Sequence, residues 1–170
     1  MWCPRRVAIS ALLFNALLTS CAVRTEETTL MGEPAKLTLN EARDLLQQST
    51  KPVDRTKAYV QLSDILIRYV HSNIPRNDAD ATRAWLEEYQ GAILSARETM
   101  LASGRDAQRH PEGYRDLEVI LRRHIRWLSD WRIGLVDQER MPLEDTMKTA
   151  TAVRGEMLQL LFPVFTSNAR

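Results

Sequence analysis

Residues 111–135 read PEGYRDLEVILRRHIRWLSDWRIGL, and their pattern decides the fold. Leu117, Leu121, His124, Leu128, Trp131 and Leu135 recur at spacings of 4, 3, 4, 3 and 4. In a helix of about 3.6 residues per turn, those six side chains fall on one stripe, a heptad-type seam. Arg115, Arg122, Arg123 and Arg126 fall on the opposite side, and Glu118 with Arg122 makes a favourable i, i+4 pair. A helix with one apolar seam and one charged side must bury that seam against neighbours.

The flanking sequence supplies those neighbours. Thr38 and Glu41 form a capping box, with Leu37 and Ala42 placed as the staple across it. Ala42, Leu45 and Leu46 mark the buried face of a short first helix, which Pro52 ends by pushing its predecessor out of the helical region. Pro52 also suits the first turn of a second helix, where Tyr59, Leu62, Leu66 and Tyr69 form the stripe and Ile65 and Val70 widen it. Residues 73–78 read as a turn, with Asn77 or Asp78 capping the third helix. That helix presents Trp85, Tyr89, Ala92, Ala96 and Met100, and Gly104 is placed to terminate it. The fourth helix is expected to start near Pro111. Met141-Pro142 is expected to break the run. A fifth helix then spans Leu143 to about Phe162, with Met147, Ala150, Met157 and Leu161 inward, and Pro163 ends it. No strand-like alternation and no repeat stands out. The expected fold is all-α: an up-and-down bundle of four main helices plus a short N-terminal helix, over residues 38–163.

The N-terminus has a different character. Arg5 and Arg6 precede an apolar run from Val7 to Leu18, and Leu18-Thr19-Ser20-Cys21 follows at its end. The run is shorter than the roughly 20 residues a membrane-spanning helix needs. The arrangement resembles a bacterial lipoprotein signal peptide with its lipobox. The resemblance implies cleavage before Cys21, a thioether-linked diacylglycerol on its sulfur and acylation of its amine. Residues 1–20 are then a removed signal, 21–37 a flexible tether, and 164–170 a frayed tail. It also implies a location in the cell envelope, anchored to the membrane by lipid. Ala22 and Val23 lack the Asp that retains such proteins at the inner membrane in some bacteria, which favours the periplasmic face of the outer membrane in a two-membrane host. Two or more buried chains would make release negligible, since each buried methylene is worth about 0.8 kcal/mol.

Composition narrows the function. The chain has 23 basic and 22 acidic residues; the signal segment holds two of the basic ones and none of the acidic, so the chain from Cys21 onward has a balance of −1. A near-neutral chain has no general attraction for nucleic acid, and none is expected as a partner. Cleavage also removes Cys3, which leaves only the lipidated Cys21, so no disulfide is expected. The fold must rest on its core, and a domain of about 150 residues buries about 68–70% of its unfolded surface.

Three candidate sites emerge. Cys21 is the lipid attachment point. His124 interrupts the apolar seam: it reads as a metal ligand or pH-sensitive group, or as a core histidine hydrogen-bonded to one neighbour. Arg122, Arg123 and Arg126, beside Trp127, read as a partner- or anion-contact patch, or as an ordinary solvated face. The run from Leu160 to Phe165 reads as a docking end, or as a segment folded back over the bundle. No nucleophile motif, phosphate-binding glycine loop, Glu-x-x-His pair or haem attachment motif is present, and no cofactor or catalytic residue is expected. The sequence therefore favours a non-enzymatic binding or scaffolding lipoprotein, contacting the membrane through Cys21 and an envelope protein through its bundle. A ligand- or metal-sensing bundle built on His124 is one alternative, and an enzyme with an unrecognised carboxylate site is another.

Overall fold

A computed structural model describes residues 37–163 except 77, 134 and 136. The signal segment 1–20, Cys21, the tether up to residue 36 and the tail 164–170 lie outside the described residues. Within them the secondary structure is helical throughout: α1 (Leu39–Gln48), α2 (Pro52–Asn73), a 3-10 turn (Ile74–Arg76), α3 (Ala79–Ala102), α4 (Tyr114–Arg132) and α5 (Asp137–Leu161). None of the described helices is long and apolar enough to cross a membrane.

The helix ends follow their local chemistry. Thr38 Oγ1 accepts from the Glu41 amide at 3.3 Å, and the Glu41 carboxylate accepts from the Thr38 amide at 2.7 Å, which completes the capping box. Those hydrogen bonds from Thr38 hold the Glu41 carboxyl below the usual carboxylate range. Asp78 caps α3 by accepting from the Ala81 amide at 3.0 Å. Gly104, at φ +62°, takes the left-handed position just beyond α3, where a side chain would be strained.

The four long helices pair as two antiparallel hairpins, α2–α3 and α4–α5. The hairpins lie side by side so that α2 runs parallel to α4, and α3 parallel to α5. Asp64 meets His124 across the first pair; Gln90 meets Thr146, and Arg97 meets Glu156, across the second. α3 and α4 meet less extensively, so residues 103–113 carry the chain diagonally across the bundle end. The short-connection rule, which favours antiparallel neighbours, thus holds within each hairpin, while the longer α3–α4 link places α4 beside α2. α1 packs on α2, and Arg43 reaches Glu88 of α3.

The seam of α4 is buried as the spacing predicts: Leu117, Leu121, His124 and Leu128 are inaccessible to solvent. Trp131 and Leu135 are only half-buried, because α4 ends at Arg132.

Several boundaries and faces differ from expectation. α4 starts at Tyr114 rather than near Pro111, because the backbone at Gly113 turns to φ +76°. α5 starts at Asp137 and runs through Pro142 rather than restarting after it. Pro142 lies in the second turn, so its missing N–H removes only one intrahelical bond near an end where the first four amides have no such partner anyway. The inward stripe of α5 is Leu143, Thr146, Ala150, Val153 and Met157, while Met147 and Leu161 are half-buried. In α1 only Ala42 is fully buried; Leu45 is exposed. Phe162 is 69% exposed and does not fold back over the bundle.

Candidate functional site

His124 sits at the middle of the α2–α4 interface, 0% exposed. Its Nε2 lies 3.2 Å from Asp64 Oδ1, and its Nδ1 lies 3.3 Å from the Tyr89 hydroxyl. The carboxylate can only accept, so Nε2 carries the proton; Nδ1 then accepts, and Tyr89 donates to it. Three helices therefore contribute to one buried chain, Tyr89–His124–Asp64. The Trp127 ring stacks on the imidazole with centroids 5.4 Å apart, closing its remaining face.

Asp64 is the hub of the cluster. Its Oδ1 also accepts from Arg123 Nη2 at 2.6 Å, and its Oδ2 accepts from Arg68 Nε at 3.2 Å. Burial pushes the carboxyl up, but the hydrogen bond from His124 and the charges of Arg123 and Arg68 more than reverse this, holding it at about 2. Burial dominates at His124 and lowers its pKa despite Asp64, so the ring is neutral near pH 7. Burial and the Asp64 charge push the Tyr89 hydroxyl up, so it stays a donor. The guanidiniums of Arg68 and Arg123 lie over the Trp127 ring at 5.7 and 5.1 Å, a pair of cation–π contacts bracketing the indole.

A pH dependence follows. His124 is neutral in the fold but protonates below about pH 6.5 when unfolded. The unfolded chain then binds more protons, so stability falls as pH drops below that value. Asp64 adds a second loss from about pH 4 down to its folded value of about 2. The urea midpoint is expected to fall between pH 7.5 and 5, with a slope of up to about 1.4 kcal/mol per pH unit attributable to His124. A His124→Asn variant that keeps the whole slope would show that another group is responsible.

The arginine patch lies on the outer side of the same interface. Lys57, Val60 and Gln61 of α2 face Arg115, Asp116, Val119, Ile120, Arg122, Arg123 and Arg126 of α4 across a groove of about 650 Å³. Arg115, Val119, Arg122 and Arg126 recur at spacings of 4, 3 and 4, so α4 offers one continuous face to it. Arg122, Arg123 and Arg126 are thus brought together, as the sequence suggests, but they are not equivalent. Arg123 is committed to Asp64, and Arg122 lies 3.9 Å from Glu118. Glu118 is itself buried and pairs more closely with Arg154 of α5, at 3.0 Å. Lys57, Arg115 and Arg126 have no carboxylate partner among the described residues.

The sequence reading missed Asp64. The only trace is its place between buried neighbours in the run Leu62-Ser63-Asp64-Ile65. An acidic residue at a helix midpoint looks solvent-facing until the neighbouring helix is in place. Among the described residues no three His, Cys, Asp or Glu side chains come together as a metal-binding set. No protein-family model, curated protein or solved structure matches the chain.

Proposed function

We propose that this chain is a lipid-anchored envelope protein that acts as a non-catalytic binding module, presenting the α2–α4 groove to its ligand. The groove is the observation that carries the reading: five cationic side chains, one carboxylate and three apolar residues, Val60, Val119 and Ile120, line it together. Concavity, one predominant charge sign and an apolar floor are the ordinary attributes of a binding site. Anchoring follows from the lipobox resemblance at Cys21, which would hold that surface at the membrane and raise its local concentration there.

The alternatives draw less support. A sensor built on His124 would need an open ring nitrogen, and both are engaged in an enclosed site. A carboxylate enzyme would need a carboxyl free to give or take protons, and three donors hold Asp64 ionised.

Site-specific photo-crosslinking in the native host tests the proposal. A photoreactive residue at Gln61, in the groove, should give a discrete adduct. The same residue at exposed Thr151 on α5 should not, and Cys21→Ala should abolish the Gln61 adduct. Identical adducts from both positions, or none from Gln61, would overturn the proposal.

A further inference from the structure

We infer that the groove takes an individual anionic phospholipid molecule, with its phosphate at the arginine rim and the start of an acyl chain across the apolar floor. The inference deepens the proposed function and rests on the groove being the binding surface.

The charge selects an anion. Among the groove-lining residues the cations Lys57, Arg115, Arg122, Arg123 and Arg126 stand with one carboxylate, Asp116, which accepts from the Gly113 amide at 3.4 Å; Arg123 and Arg122 are paired outside it with Asp64 and Glu118. Guanidiniums present planar forks of donors that match phosphate oxygens. Three of the five cations have no carboxylate partner among the described residues, so they can turn to a ligand without breaking an ion pair.

The floor selects an amphiphile. Val60, Val119 and Ile120 line the groove beside the cations, and Val119 is 44% exposed among arginines. A bare phosphate would leave that surface wet. Its volume, about 650 Å³, is comparable to that of small-molecule sites, about 300–1,000 Å³, in an open groove that leaves one side of a ligand to solvent.

The extent of the floor argues against an acidic helix. Such a partner sets apolar anchors at i, i+4 and i+7, spread over about 10 Å. Here the α4 part of the floor is two adjacent residues, Val119 and Ile120, with arginines one turn away on each side. One apolar segment fits that floor; a succession of anchors does not. Residues from two helices line the groove, so one molecule can be held between α2 and α4.

The test uses the full chain carrying Cys21→Ala, so that no acyl group competes. Dihexanoyl phosphatidylglycerol below its micelle concentration should bind saturably and shift backbone amide resonances of residues 57–61 and 115–126. It should bind at least tenfold tighter than dihexanoyl phosphatidylcholine and than inorganic phosphate. Arg122→Glu/Arg126→Glu and Val119→Asn should each weaken it about tenfold or more; all three positions are exposed. The lipid comparison on the unmutated groove needs no variant, so it stands even if one misfolds.

Equal binding of inorganic phosphate would overturn the amphiphile. Binding only to phosphatidylglycerol vesicles would replace the single lipid with a membrane surface. Binding of an acidic peptide but of no lipid would overturn the inference while leaving the binding module intact. If the Gln61 crosslink is also absent, the groove itself is not the binding surface.

Discussion

Replacing Asp64 with Leu should lower the stability of the bundle by about 3 kcal/mol, read as a reduced urea midpoint at unchanged m-value. The side chain is 17% exposed and serves three donors: His124 Nε2, Arg123 Nη2 and Arg68 Nε. Leu roughly conserves volume, so the loss comes from the stranded partners rather than from a cavity. Arg68 and Arg123 can turn partly to water, since they are 20% and 49% exposed. His124 cannot, because it is fully enclosed and its N–H would face hydrocarbon. An unsatisfied buried donor costs about 1–3 kcal/mol, and the lost charge pairing adds to it. The double variant Asp64→Leu/His124→Leu removes the stranded donor and should recover part of the loss. Purely additive effects of the two substitutions would show that the buried chain is not an energetic unit.

Gly113→Ala should cost about 3 kcal/mol, from two separable causes. The backbone there is at φ +76°, where an L side chain is strained. A Cβ at that position would also lie 2.5 Å from Met100 Sδ and 3.0 Å from its Cε, and Met100 is fully buried. Gly104 separates the two causes, because it has φ +62° with open space around it. Gly104→Ala should carry the backbone strain alone, about 1 kcal/mol. Equal losses in thermal or urea unfolding would mean that Met100 yields without cost. The position matters beyond stability: Gly113 sets where α4 begins, and so the phase in which Arg115 and Asp116 enter the groove.

Much of the architecture is legible in local patterns. The seam from Leu117 to Leu128 is buried because a 4-and-3 spacing leaves a helix only one apolar stripe to hide. The capping box at Thr38 and the turn at Gly104 are set by neighbouring residues, and both form as their chemistry dictates. Pro142 is the instructive exception. Read locally it breaks the run before a helix that starts at Leu143, yet α5 begins at Asp137 and carries Pro142 in its second turn. The helix tolerates it because proline's missing N–H costs only one intrahelical bond near a helix end.

By itself the sequence determined the all-helical class, the helix count, the face that α4 buries, and the clustering of Arg122, Arg123 and Arg126 along one helix. Each depends on residues within a turn or two of one another, where periodicity and capping act directly. Only the tertiary structure decided that α4 lies beside α2. That choice joins Asp64 to His124 across 60 residues of chain and sets Lys57 and Val60 against the arginines of α4. The ionised aspartate, the neutral histidine and the groove all arise from that helix pairing, because side-chain charge and burial depend on what stands opposite, and no local pattern encodes it.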